Sequence, residues 1–280
     1  MKTNRFSCFS VILFTSVVLS SCTVEKKIGK TFLASPPPIQ ILLFPPNELF
    51  KYNHKGEAIP GFDSLTAQQQ DSALYASSLF VKETDDSAFL ESYVNNFITE
   101  LRKLGFTLYL PDATDSLLKE QPQVYALNMA QLQLDEYNYP FEDQAVFYET
   151  MYVKYLSLNA IDFSVWYELS KMNSANPRKT LLYATHSMTD GVDGDFLFDP
   201  FETDVRYRYQ IDSLRVQDVQ NLAVNLGKRH ASYLFDFFLN QYIAYHMPEG
   251  EAPYFYYHYN RFLRQLEPVE DYGFQILDNK

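Results

Sequence analysis

Between Ile161 and Leu169 the odd positions Ile161, Phe163, Val165, Tyr167 and Leu169 are apolar or aromatic, opposed by Asp162, Ser164, Glu168 and Ser170. A period of two marks a strand with one buried and one solvated face, the habit of antiparallel sheets. This stretch constrains the chain more than any other, because it needs partners on both sides. Asn173 to Pro177 supplies a turn and Lys179 to Ser187 a returning strand. Upstream, Val124, Ala126, Ala130, Leu132 and Leu134 place even positions inward, so three strands form a meander.

Ile39 to Phe44, stopped by Pro45-Pro46, and Phe106 to Leu110 read as two further short strands. Helices are marked by a wider period. From Ser87 to Leu104, Leu90, Val94, Phe97, Leu101 and Leu104 recur at three and four, with Asp85 and Asp86 ahead and Gly105 behind. Thr66 and Gln69 resemble a capping box opening a helix to about Lys82. A second long helix, capped by Asp212 or Ser213, carries Leu214, Val219, Leu222, Leu226, Leu234, Phe237, Phe238 and Tyr242. Within it Gly227 leaves room for close approach to a sheet. The expectation is an α+β fold, with two long helices on one face of a mostly antiparallel sheet of about five strands. An aromatic extension follows over 248–280.

With 46% hydrophobic residues, 22 Tyr and 23 Phe among 280 residues, the chain has material for a large core. Its net charge of −12 argues against nucleic acid as a partner. Asp190, Asp193, Asp195 and Asp199 interleave with Gly191 and Gly194 in what reads as an acidic loop to Asp204. Such acids can gather round calcium, but the spacing is not that of an EF-hand, and a solvated turn is the simpler reading. His54, His186, His230, His246 and His258 show no metal-ligand spacing, and no catalytic or nucleotide-binding motif is present, so neither cofactor nor enzymatic activity is expected. Tyr254, Tyr256, Tyr257 and Tyr259, followed by Arg261 and Arg264, suggest a partner-docking strip; the alternative is packing back on the sheet.

The N-terminus carries Lys2 and Arg5, an apolar run from Phe6 to Leu19, and then Ser20-Ser21-Cys22. The run is too short to span a bilayer and has the form of a signal peptide. Leu19-Ser20-Ser21-Cys22 resembles the lipobox of bacterial lipoproteins, which implies a leader over 1–21 and acylation of Cys22. Cys8 falls in that leader, leaving no thiol for a disulfide. In such lipoproteins an Asp after the cysteine favours inner-membrane retention, and here Thr23 follows. Surface lipoproteins of Bacteroidota resemble one another in an acidic cluster after the cysteine, and here Glu25 stands among Lys26, Lys27 and Lys30. The resemblance implies the outer membrane, facing the periplasm, with the bilayer as partner through Cys22. A stiff tether over 22–38, ending in Pro36-Pro37-Pro38, then leads to a domain over 39–247.

From Ile39 to Tyr245 the element order is similar to the auxiliary lipoproteins of ABC-type lipid transport, lipopolysaccharide transport and curli-type secretion. That implies a non-catalytic accessory or scaffold lipoprotein with an envelope protein as partner. Two alternatives stay open: a lipoprotein holding lipid or glycan between helices and sheet, and a hydrolase of an envelope polymer using paired carboxylates.

Overall fold

The computed structural model describes residues 24–111, 124–172, 179–201, 204–270 and 273–277. Cys22, the leader and the turn expected at 173–177 lie outside the described residues. In chain order the elements are helix α1 (24–34), strands β1 (Gln40–Phe44) and β2 (Phe50–Asn53), helices α2 (Ala67–Ser77) and α3 (Asp86–Lys103), and strands β3 (Thr107–Tyr109), β4 (Val124–Phe147) and β5 (Thr150–Lys171). Strands β6 (Lys179–Thr189), β7 (Gly191–Asp199) and β8 (Asp204–Asp212) follow, then helix α4 (Val216–Tyr245) and strands β9 (Tyr256–Asn260), β10 (Gln265–Val269) and β11 (Gln275–Leu277).

The expected sheet of about five mostly antiparallel strands under two long helices is overturned. The main sheet has seven strands and is mixed, in the order β11-β6-β5-β4-β1-β3, with β2 also on β4; among the described residues there are four α-helices. β1 runs parallel to both β3 and β4, and β2 runs parallel to β4. β1 and β2 follow one another along a single edge of β4. Between them Pro45 and Pro46, which have no N–H, interrupt the ladder. Parallel partners are distant in sequence, so no local period records them.

β4 and β5 are much longer than the strands expected at 124–134 and 161–169. A bulge between Met129 and Gln131 shifts the register of their pairing. Leu127 and Met129 point inward before it, Leu132, Leu134 and Glu136 after it, so the inward set changes parity. The acidic loop expected from Asp190 is strand β7. Residues 24–34, expected as extended tether, are helical: Ile28 and Phe32 lie one turn apart and face the core, with the Phe32 ring 5.6 Å from Phe235 and 5.2 Å from Tyr242.

α2 opens on the Thr66–Gln69 capping box, and α3 on Asp85, which accepts from the Ala88 N–H. Phe89, Tyr93 and Phe97 of α3 meet Phe163 and Tyr167 of β5, and α4 crosses alongside. Gly227 permits that crossing by making room for another helix, not a sheet: a Cβ there would overlap the Tyr93 carbonyl oxygen. Tyr93 hydrogen-bonds both Tyr167 and His230 Nδ1, the latter at 2.6 Å. Burial, with lesser contributions from Arg229 and His186, pulls His230 down to about 3. Below the ordinary histidine value the unfolded chain takes a proton that the folded core refuses, so stability falls with pH through that window. Gly227→Ala should force α3 and α4 apart and cost about 1–3 kcal/mol, read from the urea midpoint at unchanged slope.

Candidate functional site

Among the described residues no strand pairs with the outer edge of β4 beyond Glu136, and none with the outer edge of β5 beyond Asn159, whose carbonyl accepts from the Asp190 N–H. The two strands continue as a ribbon, Tyr137 to Phe147 against Thr150 to Ala160, reaching about 35 Å at ~3.3 Å per residue. β7 and β8 form a second ribbon of nine residues a side. An isolated two-stranded ribbon is marginal in water, and these two solve the problem by stacking.

Their facing sides follow from the period of two. Phe141, Ala145 and Phe147 with Tyr152, Leu156 and Leu158 line one inner face. Phe196, Phe198, Val205 and Tyr207 belong to the other, and Phe196 is buried. The Tyr207 hydroxyl donates to Asp143 Oδ2 at 2.8 Å, and the Lys154 ammonium sits 5.6 Å from the Tyr209 ring centre. Desolvation, then the Asp143 carboxylate, pushes Tyr207 up to about 12. Near the turns the Tyr148 and Phe198 rings meet at 5.5 Å, so the tips coincide. The outer faces carry Asn138, Glu142 and Gln144 on one ribbon and Asp193, Asp195 and Arg208 on the other.

The tip displays apolar side chains beside the exposed carboxylates Glu149 and Asp204. Phe201 is 96% exposed and Tyr148 83%, with Val146 and Met151 also exposed beside them. Tyr148 and Glu149 form the two-residue turn at φ of 47° and 66°. A turn with two positive φ values favours Asn-Gly, and each non-glycine residue there costs about 1–2 kcal/mol. The chain therefore carries strain where an aromatic ring is displayed.

A buried polar network holds both ribbons at their root. Glu136, wholly buried, accepts from Lys55 Nζ at 2.7 Å, Ser78 Oγ at 2.8 Å and the backbone N–H groups of Leu79, Phe80 and Val81 at 2.7, 2.9 and 3.1 Å. Lys55 also donates to Asn159 Oδ1 at 3.0 Å. Asn159 donates through its backbone and side-chain nitrogens to Asp190 Oδ2 at 2.8 and 2.9 Å, and the Leu214 N–H donates to Asp190 Oδ1 at 2.8 Å. Burial alone raises the Glu136 pKa, but Lys55 and the three backbone N–H groups outweigh it and hold the carboxyl below the usual glutamate range.

The sequence-predicted site residues scatter. Asp190 spends both oxygens on N–H donors, while Asp193 and Asp195 project from the outer face of β7; among the described residues no group of three or more His, Cys, Asp or Glu is placed to hold a metal. Tyr254 is exposed, Tyr256 is half-buried, and Tyr257 is fully buried with its hydroxyl on Glu25. Tyr259 packs its ring on Phe235 of α4 and its N–H donates to Asp236. Tyr257 and Tyr259 thus belong to a tail that packs on α4, with Asn240 bridging to the Tyr257 backbone in both directions. The arm that the two stacked ribbons form was missed, although the alternation of Val192, Gly194, Phe196 and Phe198 against Asp193, Asp195 and Asp199 was there to find it.

No family model matches the chain, and no curated protein matches it.

Replacing Glu136 by Gln should lower stability by about 3–5 kcal/mol at neutral pH, because Lys55 stays buried without its counter-charge. The wild-type carboxylate stabilises above the ordinary glutamate value and loses that contribution as pH falls through its lowered value. The gap in melting temperature between wild type and E136Q should therefore be widest near neutrality and narrow in acid.

Proposed function

We propose that this protein is a non-catalytic accessory lipoprotein of an envelope assembly, held to the membrane through acylated Cys22, and that the paired-hairpin arm is its working part. The observation that supports this reading is the arm itself: two ribbons stacked by their apolar sides, fixed at the root by buried charge, ending in exposed aromatics. Exposed aromatic clusters rimmed by polar groups mark interaction surfaces more often than catalytic ones. The facing groups between the ribbons, Asp143 with Tyr207 and Lys154 with Tyr209, are occupied with one another and serve packing.

A photo-crosslinking residue in place of Tyr155, exposed on the arm's outer side, tests this in intact cells. The expected result is one specific envelope protein trapped with the chain, lost when residues 144–153 are replaced by a short turn while the body keeps its melting transition. Recovery of the uncrosslinked chain alone would sink the reading.

A further inference from the structure

At the opposite end of the sheet from the arm, a groove of about 670 Å³ opens where α1 and the start of β1 meet the end of α4. Phe32, Ile39, Tyr125, Tyr242 and Tyr245 line it, with Lys171 among them. Lys27 and Lys30 stand on the exposed side of α1. In a chain with a formal net charge of −12, the groove's described lining carries Lys171 and His246 beside its aromatic rings and no carboxylate, with Glu249 and Glu251 following beyond the end of α4. The arm tip is its counterpart: Tyr148, Phe201, Val146 and Met151 project, and the exposed carboxylates Glu149 and Asp204 accompany them.

We infer that the arm tip of one copy seats in the aromatic groove of a second copy, giving head-to-tail association of this chain. The inference rests on the reading that the arm is the docking element; it assigns the tip to a second copy and leaves the arm's outer side, where Tyr155 lies, to the envelope partner. Apolar cores with complementary charged rims are the anatomy of a specific interface. Plug and socket lie at opposite ends of one molecule, so the contact is heterologous and repeats along a row instead of closing as a two-fold pair. A bilayer is the weaker occupant of the tip, because Glu149 sits within the turn that would have to enter the apolar region.

Sedimentation velocity on the chain from residue 22 onward, carrying Cys22→Ser, provides the test; all described contacts lie within 24–277. Between about 1 and about 100 µM the average mass should rise at least twofold, as expected of a small interface of micromolar affinity. Tyr148→Asn with Glu149→Gly relieves the strained turn and therefore folds, yet should hold the protein monomeric, as should Phe201→Ser and Tyr245→Ser. Glu149→Lys should weaken association about tenfold, and adding Lys171→Glu should restore most of it. A monomer throughout the range, or association indifferent to both tip and groove, overturns the inference. So does Phe201-dependent flotation with phosphatidylcholine vesicles by a protein that stays monomeric. A monomer that still gives the Tyr155 crosslink to an envelope protein refutes the self-contact and leaves the proposed function standing; loss of both results refutes both.

Discussion

Lys55 is a buried cation, and five stretches of chain converge on the charges that satisfy it. It touches Glu136 of β4 and Asn159 of β5; Glu136 gathers the turn over 78–81, and Asn159 leads to Asp190, where β6 gives way to β7, and to Leu214 before α4. A buried ion pair adds little stability over an apolar pair of the same volume, since desolvation cancels much of the Coulomb gain. What it enforces is geometry. A leucine at 136 would pack in several ways, whereas a carboxylate with five donors aimed at it accepts only one arrangement of the segments that carry them. The site lies where both ribbons leave the body, so the arm's direction is fixed by the same charges.

Past that root, the arm is held by a different balance. Each ribbon has one apolar side and too few strands to bury it, and stacking takes part of both sides out of water at once: Phe196 and Leu158 are buried, while Tyr139, Phe198, Tyr209 and Ile211 on the same faces stay exposed. Apolar contact alone would let the ribbons slide by two residues, because the period of two repeats. Asp143 and Lys154, opposite one another on the inner face, prevent the slide by meeting Tyr207 and Tyr209 at one register only. The same pair would be costly if this face were turned to lipid, which ties the arm to its stacked form.

The elements whose signals are local were legible in the sequence. α3 carried its acids, apolar stripe and Gly105, and the Thr66–Gln69 box fixed the start of α2. The core alternation from Ile161 to Leu169 was equally plain. What was lost depended on interruptions or on distant partners. The bulge at Met129 to Gln131 reversed the inward parity of β4, so a single period misassigned half of it. In β7 the density of aspartates hid an alternation whose apolar half pairs with another hairpin instead of the core. The buried network was illegible because Lys55, Glu136, Asn159 and Asp190 are spread over more than a hundred residues and none belongs to a motif.

The helical state of 24–34 changes what an anchor at Cys22 would mean. A tether of sixteen extended residues allows a body to wander within about 50 Å of its attachment. Here Phe32 is locked between Phe235 and Tyr242, Glu25 accepts from Tyr257, and α1 is part of the packed body from residue 24 onward. Under the proposed acylation, the lipid would lie two residues from a docked helix. The body would be mounted, not leashed. Because α1 packs on the C-terminal half of α4 and the arm leaves near its N-terminal end, the α1 end and the aromatic tip stand at opposite ends of the same sheet. Strain at Tyr148 and Glu149 sits at that far end: an Asn-Gly turn would relieve it but would give up the Tyr148 ring's contact with Phe198, which joins the two tips.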